Sequence, residues 1–341
     1  MKSRIPVAFG ILALTLTACK DGPPSRNEEV ISKRYVHRYG YDVSPKEWES
    51  QELPGSVITT QRDGATIVQT YEAGILHGET TESYAHSQTI KVRKLFDKGI
   101  LSKQTFYDVR GVPEREEVFA SPIIRKVTSW YTSGTPRSIE EFSRQELSRG
   151  EYFNPSNEVE STIETGTGVR TLRNRDGNLI GKEIFERSKV IKCETFHPNG
   201  TPLEMTTYSD GLLNGEKAKF GPNGAPIYHE NWKLGKRHGI TTLYQNGVRY
   251  AEVPFVNGKK HGIERQYIDG EVISEETNWI EDQRHGPSVA YCNGMTKTEY
   301  YFNNERVSKE KYNELLDREQ QIATLNERGR NSKMLNFGTE E

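Results

Sequence analysis

Cysteine, apolar residues and net charge are all scarce in this chain of 341 residues. It has 3 cysteines, Cys19, Cys193 and Cys292, and no CxxC pair, which excludes a disulfide-stapled scaffold and a dithiol redox motif. Cys193 and Cys292 are separated by about eight strands of the hairpin row read below, at about 4.8 Å per strand, so no bridge between them is expected. Hydrophobic residues make up 33% of the chain and mean hydropathy is -0.78. That leaves enough apolar side chain for a thin sheet and too little for a thick core. Formal net charge is -2, whereas a nucleic-acid binder is basic over a face, so nucleic acid is excluded as the partner. No phosphate loop and no nucleophile elbow occurs. The sequence therefore predicts a protein that is not an enzyme, with no cofactor and no metal.

What is present is a repeat. Asn223-Gly224, Asn246-Gly247 and Asp269-Gly270 are turn pairs that supply the positive φ of tight hairpins. The same frame places turn ends at Gly64, Gln88, Gly111, Gly134, Asn157, Gly177, Gly200 and Gly294, a period of 23 or 24 residues broken only by a short unit between Asn157 and Gly177. An aromatic follows each turn in most units, as Tyr71, Phe96, Phe119, Phe142, Phe185, Tyr208, Trp232, Phe255 and Trp279. Alternation then puts Ala251, Val253 and Phe255 on one face of a strand and Ile240, Thr242 and Tyr244 on one face of its neighbour. A second bend is expected over Gly235 to Gly239 and over Gly258 to Gly262. Each unit reads as a β-hairpin and the chain as a row of them.

These residues, with G-x-x-H-G recurring at Gly235 to Gly239 and Gly258 to Gly262, resemble the bacterial variant of MORN repeats that carries an antitoxin-like label. The resemblance covers about residues 55 to 305 and departs from the pattern between 143 and 175, where distortion is expected. It implies an all-β fold, an elongated single-layer antiparallel sheet of repeated hairpins. It also implies scaffolding, membrane-proximal or toxin-neutralising roles.

Ahead of the array, Lys2 and Arg4 precede an apolar run from Ile5 to Leu16, too short to cross a bilayer, which takes about 20 residues. Leu16-Thr17-Ala18-Cys19 then resembles a bacterial lipobox, which implies that Cys19 is lipidated and becomes the mature N-terminus. Residues 1–18 are read as the signal peptide, 19–30 as a tether and 31–52 as a helical cap, in which Ser44-Pro45-Lys46-Glu47 is a capping box and Trp48 covers the first hairpin. The array takes 53–306, a C-terminal helix 307–328 and a disordered tail 329–341. Lys20 after the cysteine favours the outer membrane by resemblance to other lipoproteins. The expected localisation is the bacterial cell envelope, with the membrane as one partner through Cys19 and a protein as another.

Three recurring side chains are candidates for a site. Histidines His77, His238, His261 and His285 occupy one repeat position, and at about 10 Å between units they are too far apart to share a metal, so turn packing is expected. Lys236, Arg237, His238, Lys259, Lys260, His261, Arg284 and His285 form a basic ridge along one edge, open either to anionic lipid or simply to water as a guard against edge pairing. Glu117, Glu140, Glu183, Glu230 and Glu276 recur six residues after their turns, and cross-strand pairing with Lys or Arg is the expected use. The aromatic column serves either as the core of the sheet or as a glycan cage. The reading that absorbs these features is a lipid-anchored, non-catalytic scaffold or binding protein; the alternatives are an antitoxin or immunity-like protein and a lipid- or glycan-binding module.

Overall fold

The computed structural model describes residues 30–336, with side chains through Leu325. The signal at 1–18, Cys19 and all of the tether but Val30 lie outside the described residues, as do 337–341 of the tail. Among the described residues the fold is all-β: 27 strands with one helix near each end, α1 (Pro45–Gln51) and α2 (Lys309–Asn336), and every strand pairing is antiparallel. Two compact units divide the chain after Phe119.

One hairpin of the second unit shows how the sequence writes the rest. The strands Gly239–Gln245 and Val248–Val256 join through Asn246 and Gly247, with φ of 53° and 80°. Both values are left-handed, as a two-residue hairpin turn requires. Ala251, Val253 and Phe255 are all buried, as their alternation requires. The bend before this hairpin differs from expectation. Leu234 and Gly235 make it alone, and Gly239 lies in the following strand at φ 100°. There His238 N donates to Asn231 O at 2.8 Å, and the Asn231 amide donates to Ile240 O at 2.9 Å. A Cβ on Gly239 would come within 3.3 Å of Asn231 Cβ, so this glycine makes room for a side chain that bridges across the irregularity.

The turn positions hold the expected phase, since Gly64, Gly111, Gly134, Asn157, Gly177, Gly200, Gly224, Gly247, Gly270 and Gly294 all have positive φ. Gln88 is the exception. Tyr84 N bonds to Thr89 O, whereas the corresponding bond of a neighbouring turn runs from Asp108 N to Val112 O, so this loop is one residue longer and its left-handed residue is His86. In the shorter turn, burial acts to raise the Asp108 carboxyl, but the Arg110 guanidinium and the backbone N–H groups of Val112 and Arg110 outweigh it and bring it down to about 2.

The N-terminal cap is only partly helical. Val30–His37 is a strand that pairs along its whole length with Gly55–Gln61, so the sheet begins where a helix was expected. Its sequence explains this: Val30, Ile31, Tyr35 and Val36 are β-branched or aromatic residues with no helical spacing. The helix itself starts at the expected box, with Ser44 Oγ accepting from Glu47 N at 3.2 Å and Pro45 in the first turn. Trp48 packs on Tyr35 and Tyr71, with ring centroids 5.6 and 6.0 Å away. Replacing Ser44 with alanine should cost about 1 kcal/mol and raise hydrogen exchange in α1 before the strands beneath it.

At the other end, Tyr312 of α2 packs on Tyr300, His285 and Phe302. The helix runs to Asn336, past the boundary of 328 that was expected and into the stretch assigned to a disordered tail. Extension beyond a nucleated turn adds one backbone hydrogen bond per residue, so a seated first turn carries weakly helical sequence with it.

The irregular region between 143 and 175 is the most deeply buried part of the second unit. Tyr152 and Ile163 are 1% and 0% exposed and pack with Leu147 and Phe185. The short repeat explains the change. Thr132 N reaches past the turn at Asn157 to bond with Arg175 O at 3.0 Å, and Tyr131 Oη donates to Phe153 O.

Candidate binding surface

On the aromatic face of the first unit, Tyr71 and Phe96 sit opposite Leu76 and Leu101. In the second unit, Phe142, Phe185 and Tyr208 likewise oppose Leu147, Val190 and Leu213. From Trp232 onward the apolar partner is replaced by a cation. Trp232, Phe255, Trp279 and Tyr301 oppose Arg237, Lys260, Arg284 and Arg306. The first three cations also meet the ring of the next unit. Arg237 lies 4.4 Å from the Phe255 centroid, Lys260 4.4 Å from Trp279, and Arg284 5.3 Å from Tyr301. The result is an alternating ladder of rings and cations, each contact a cation–π pair.

This ladder dissolves the expected ridge. Its eight residues fall in three runs of neighbours, 236–238, 259–261 and 284–285, and side chains one apart on a strand point to opposite faces. Arg237, Lys260 and Arg284 therefore lie over the aromatic row, while Lys236, Lys259 and His285 face the other way. The cations are also answered locally. Lys260 Nζ is 2.6 Å from Glu264, Lys259 Nζ 2.5 Å from Glu281, and Arg237 3.9 Å from Glu230. His238 is half-buried, His261 is exposed, and His285 is buried with Nδ1 3.1 Å from Asn303 Oδ1 and Nε2 3.8 Å from Glu319. His77 likewise meets the next bend, 3.3 Å from Lys98 N. In His77 and His285 the slot is thus a packing position against the following bend, while the backbone N–H groups of His238 and His261 bond back to Asn231 O and Pro254 O. Among the described residues no group of three or more His, Cys, Asp or Glu is placed to hold a metal.

Cross-strand pairing with an arginine, the use expected of the glutamate column, joins Glu183 to Arg170 and Glu276 to Arg265, and the other members find other partners. Glu117 accepts from Gln104 and Arg115, Glu140 from Tyr152 and Arg170, and Glu183 from Arg170, while Glu230 accepts from Trp232 Nε1 at 2.9 Å. Glu276 falls on the opposite face. The Asp269-Gly270-Glu271 loop has one residue more than Asn246-Gly247, so the buried Thr277 occupies the column position instead. Glu276 joins another recurring group, in which a tyrosine hydroxyl and a cation share one carboxylate. Tyr291 and Arg265 bond Glu276, each at 2.9 Å, and Tyr267 and Arg249 bond Glu252 at 2.7 and 2.8 Å. Burial would raise the Glu252 carboxyl, but Tyr267 and Arg249 bring it below the usual range. Cys193, beside Glu183 and Thr206 in register, is free and its thiol is pushed up by burial; Cys292 is free and exposed.

The change from leucine to cation after Tyr208 was readable in the sequence. Each aromatic column residue is followed five residues later by its partner, and that position changes from Leu213 to Arg237. Chemically, the ladder offers flat π surface at a repeat of two strands, about 9.6 Å, with Arg237, Lys260 and Arg306 each beside a glutamate.

No family model matches the chain, and no curated protein matches it. Among solved structures, the chain is similar to one titled crystal structure of TcdB2-TccC3-Cdc42, at 11% identity and a TM-score of 0.18, over 79% of this chain and 18% of that one.

Proposed function

We propose that this chain is a lipid-anchored, non-catalytic scaffold or binding protein of the bacterial envelope, held at the outer membrane through Cys19 and offering its repeated sheet to a protein partner. The observation that carries this reading is the way successive bends are tied together. Gly235 N donates to Leu213 O, Gly258 N to Arg237 O, Asp282 N to Lys260 O and Asn304 N to Arg284 O, all between 2.8 and 3.0 Å. Backbone bonds at the bends add to those of the strands, so side chains of successive units keep a constant spacing. A surface with a fixed repeat suits recognition of an extended partner better than chemistry on a small molecule, which needs an enclosed and asymmetric pocket. The ring and cation ladder supports the same reading, because Trp, Tyr and Arg are the side chains that dominate protein interfaces.

Chemical crosslinking in intact cells followed by affinity purification tests it. Recovery of one stable envelope protein, reduced at least about tenfold by the double substitution Trp279→Ala and Arg284→Glu, is the expected result. Recovery of a cognate toxic effector would favour the neutralising role in its place. Lipid or glycan recovered without protein would favour the binding module.

A further inference from the structure

One edge of the first unit carries apolar side chains that nothing in the sheet requires. The strand Val30–His37 ends in a tight loop in which His37 N bonds to Tyr41 O and Gly40 N to His37 O. This is the five-residue turn of the repeat, and Gly40, with φ 91°, stands 24 residues before Gly64, so the frame begins one unit earlier than the turn pairs suggest. Because the strand that follows is cut to Asp42–Val43, paired with Val36 and Tyr35, before α1 takes over, the turn is left beside the bends. His37 pairs with Gly55 and Gly55 with Tyr71, and Arg38 reaches Glu72 at 3.1 Å. Tyr39 and Tyr41 stack around His37, with centroids 5.1 and 4.6 Å away, and are themselves 80% and 55% exposed. The adjoining bends present Ile75 and Ile100, 51% and 73% exposed. These bends are tied together, since Gly99 N donates to Leu76 O at 2.7 Å.

We infer that this edge, Tyr39, Tyr41, Ile75 and Ile100, seats in the headgroup region of the bilayer that holds the acyl chains of Cys19. The inference rests on the lipoprotein reading given above. Three observations choose lipid as the occupant. Tyrosine with an apolar ring and a wet hydroxyl is a residue of membrane interfaces, and exposed isoleucines beside it add apolar area to bury there. Reach is sufficient. Ten residues separate Cys19 from Val30, up to about 35 Å when extended, and the strand from Val30 to His37 spans about 25 Å. Finally, the position of Ile75 and Ile100 is Ile124 at the next bend and is then taken by Glu146, Thr167, Lys189, Lys236, Lys259, Gln283 and Glu305, with Leu212 the apolar exception after Ile124. Apolar bends thus lie in the part of the chain nearest the anchor.

The test uses the full lipidated chain in vesicles of phosphatidylethanolamine and phosphatidylglycerol, with Cys193 and Cys292 changed to serine. Ile100→Cys carries an environment-sensitive fluorophore, and Val109→Cys, on the opposite edge of the same unit, carries it in a second sample. With the protein floating on the vesicles, the expected result is blue-shifted emission at position 100, quenched at least about twofold by doxyl-labelled lipid, and water-like emission at position 109. Water-like emission at 100 in floating protein overturns the seating and leaves the anchor standing. Blue emission without lipid quenching overturns it too, in favour of protein cover. Failure to float removes the anchor, and the seating with it.

Discussion

Replacing Arg170 with alanine is expected to destabilise the second unit by about 3–5 kcal/mol, the usual cost of stripping one partner from a buried charge network. Arg170 Nε lies 2.7 Å from Glu140 and its NH1 3.2 Å from Glu183, and Tyr152 Oη donates to Glu140 at 3.0 Å. Glu140 is 6% exposed and Tyr152 1%. Burial weakens the hold of Arg170 on its proton, but the charges of Glu140 and Glu183 outweigh it and hold the proton more firmly than in water. Without the guanidinium, two carboxylates, one from the strand Pro136–Ser143 and one from Leu179–Glu186, lose the cation they share and are left with little solvent. Hydrogen exchange of the full chain should therefore speed up across Glu146–Phe153 and Thr167–Arg173 by about two to three powers of ten. A change under about 1 kcal/mol would mean that the network is wetter than its geometry implies. The triple variant Arg170→Met, Glu140→Leu, Glu183→Leu separates charge from packing, since apolar replacement of all three partners should recover most of the loss.

The legible parts of this molecule are those written by local chemistry. Asn246-Gly247 specifies its turn whatever surrounds it, Ser44 and Pro45 start α1 by bonds within one helical turn, and the row of Ala251, Val253 and Phe255 follows from the pleat. Less legible was anything that depended on counting through a loop. One additional residue at Glu271 moves Glu276 to the far face, and one at Gln88 moves the left-handed position to His86. The ridge failed for a different reason. Adjacent letters such as Lys259 and Lys260 look like one patch in sequence, yet a strand sends them to opposite sides, where Glu281 and Glu264 await them. The burial of Tyr152 was beyond sequence, because it depends on Thr132 meeting Arg175 across the short repeat.

Replacing Cys19 with alanine is expected to move the protein from the membrane fraction to the soluble fraction almost completely. The expectation follows from the anchor arithmetic: each buried methylene contributes about 0.8 kcal/mol, so one chain binds reversibly and two or more bind for the life of the protein. The edge proposed to seat in lipid is small by comparison. Tyr39, Tyr41, Ile75 and Ile100 retain part of their surface against the sheet, and their removal from water cannot replace an acyl chain. The two contributions are therefore separable. Cys19→Ala should abolish flotation while leaving hydrogen exchange of the array unchanged, because Cys19 precedes the first strand. Changing the four edge residues to serine should leave flotation intact and free the edge from lipid quenching. A Cys19→Ala protein that still pellets with membranes after a high-salt and carbonate wash would refute the anchor. If the same protein pelleted only until the four edge residues were also changed, the sheet edge would be the principal membrane contact and the cysteine an incidental one.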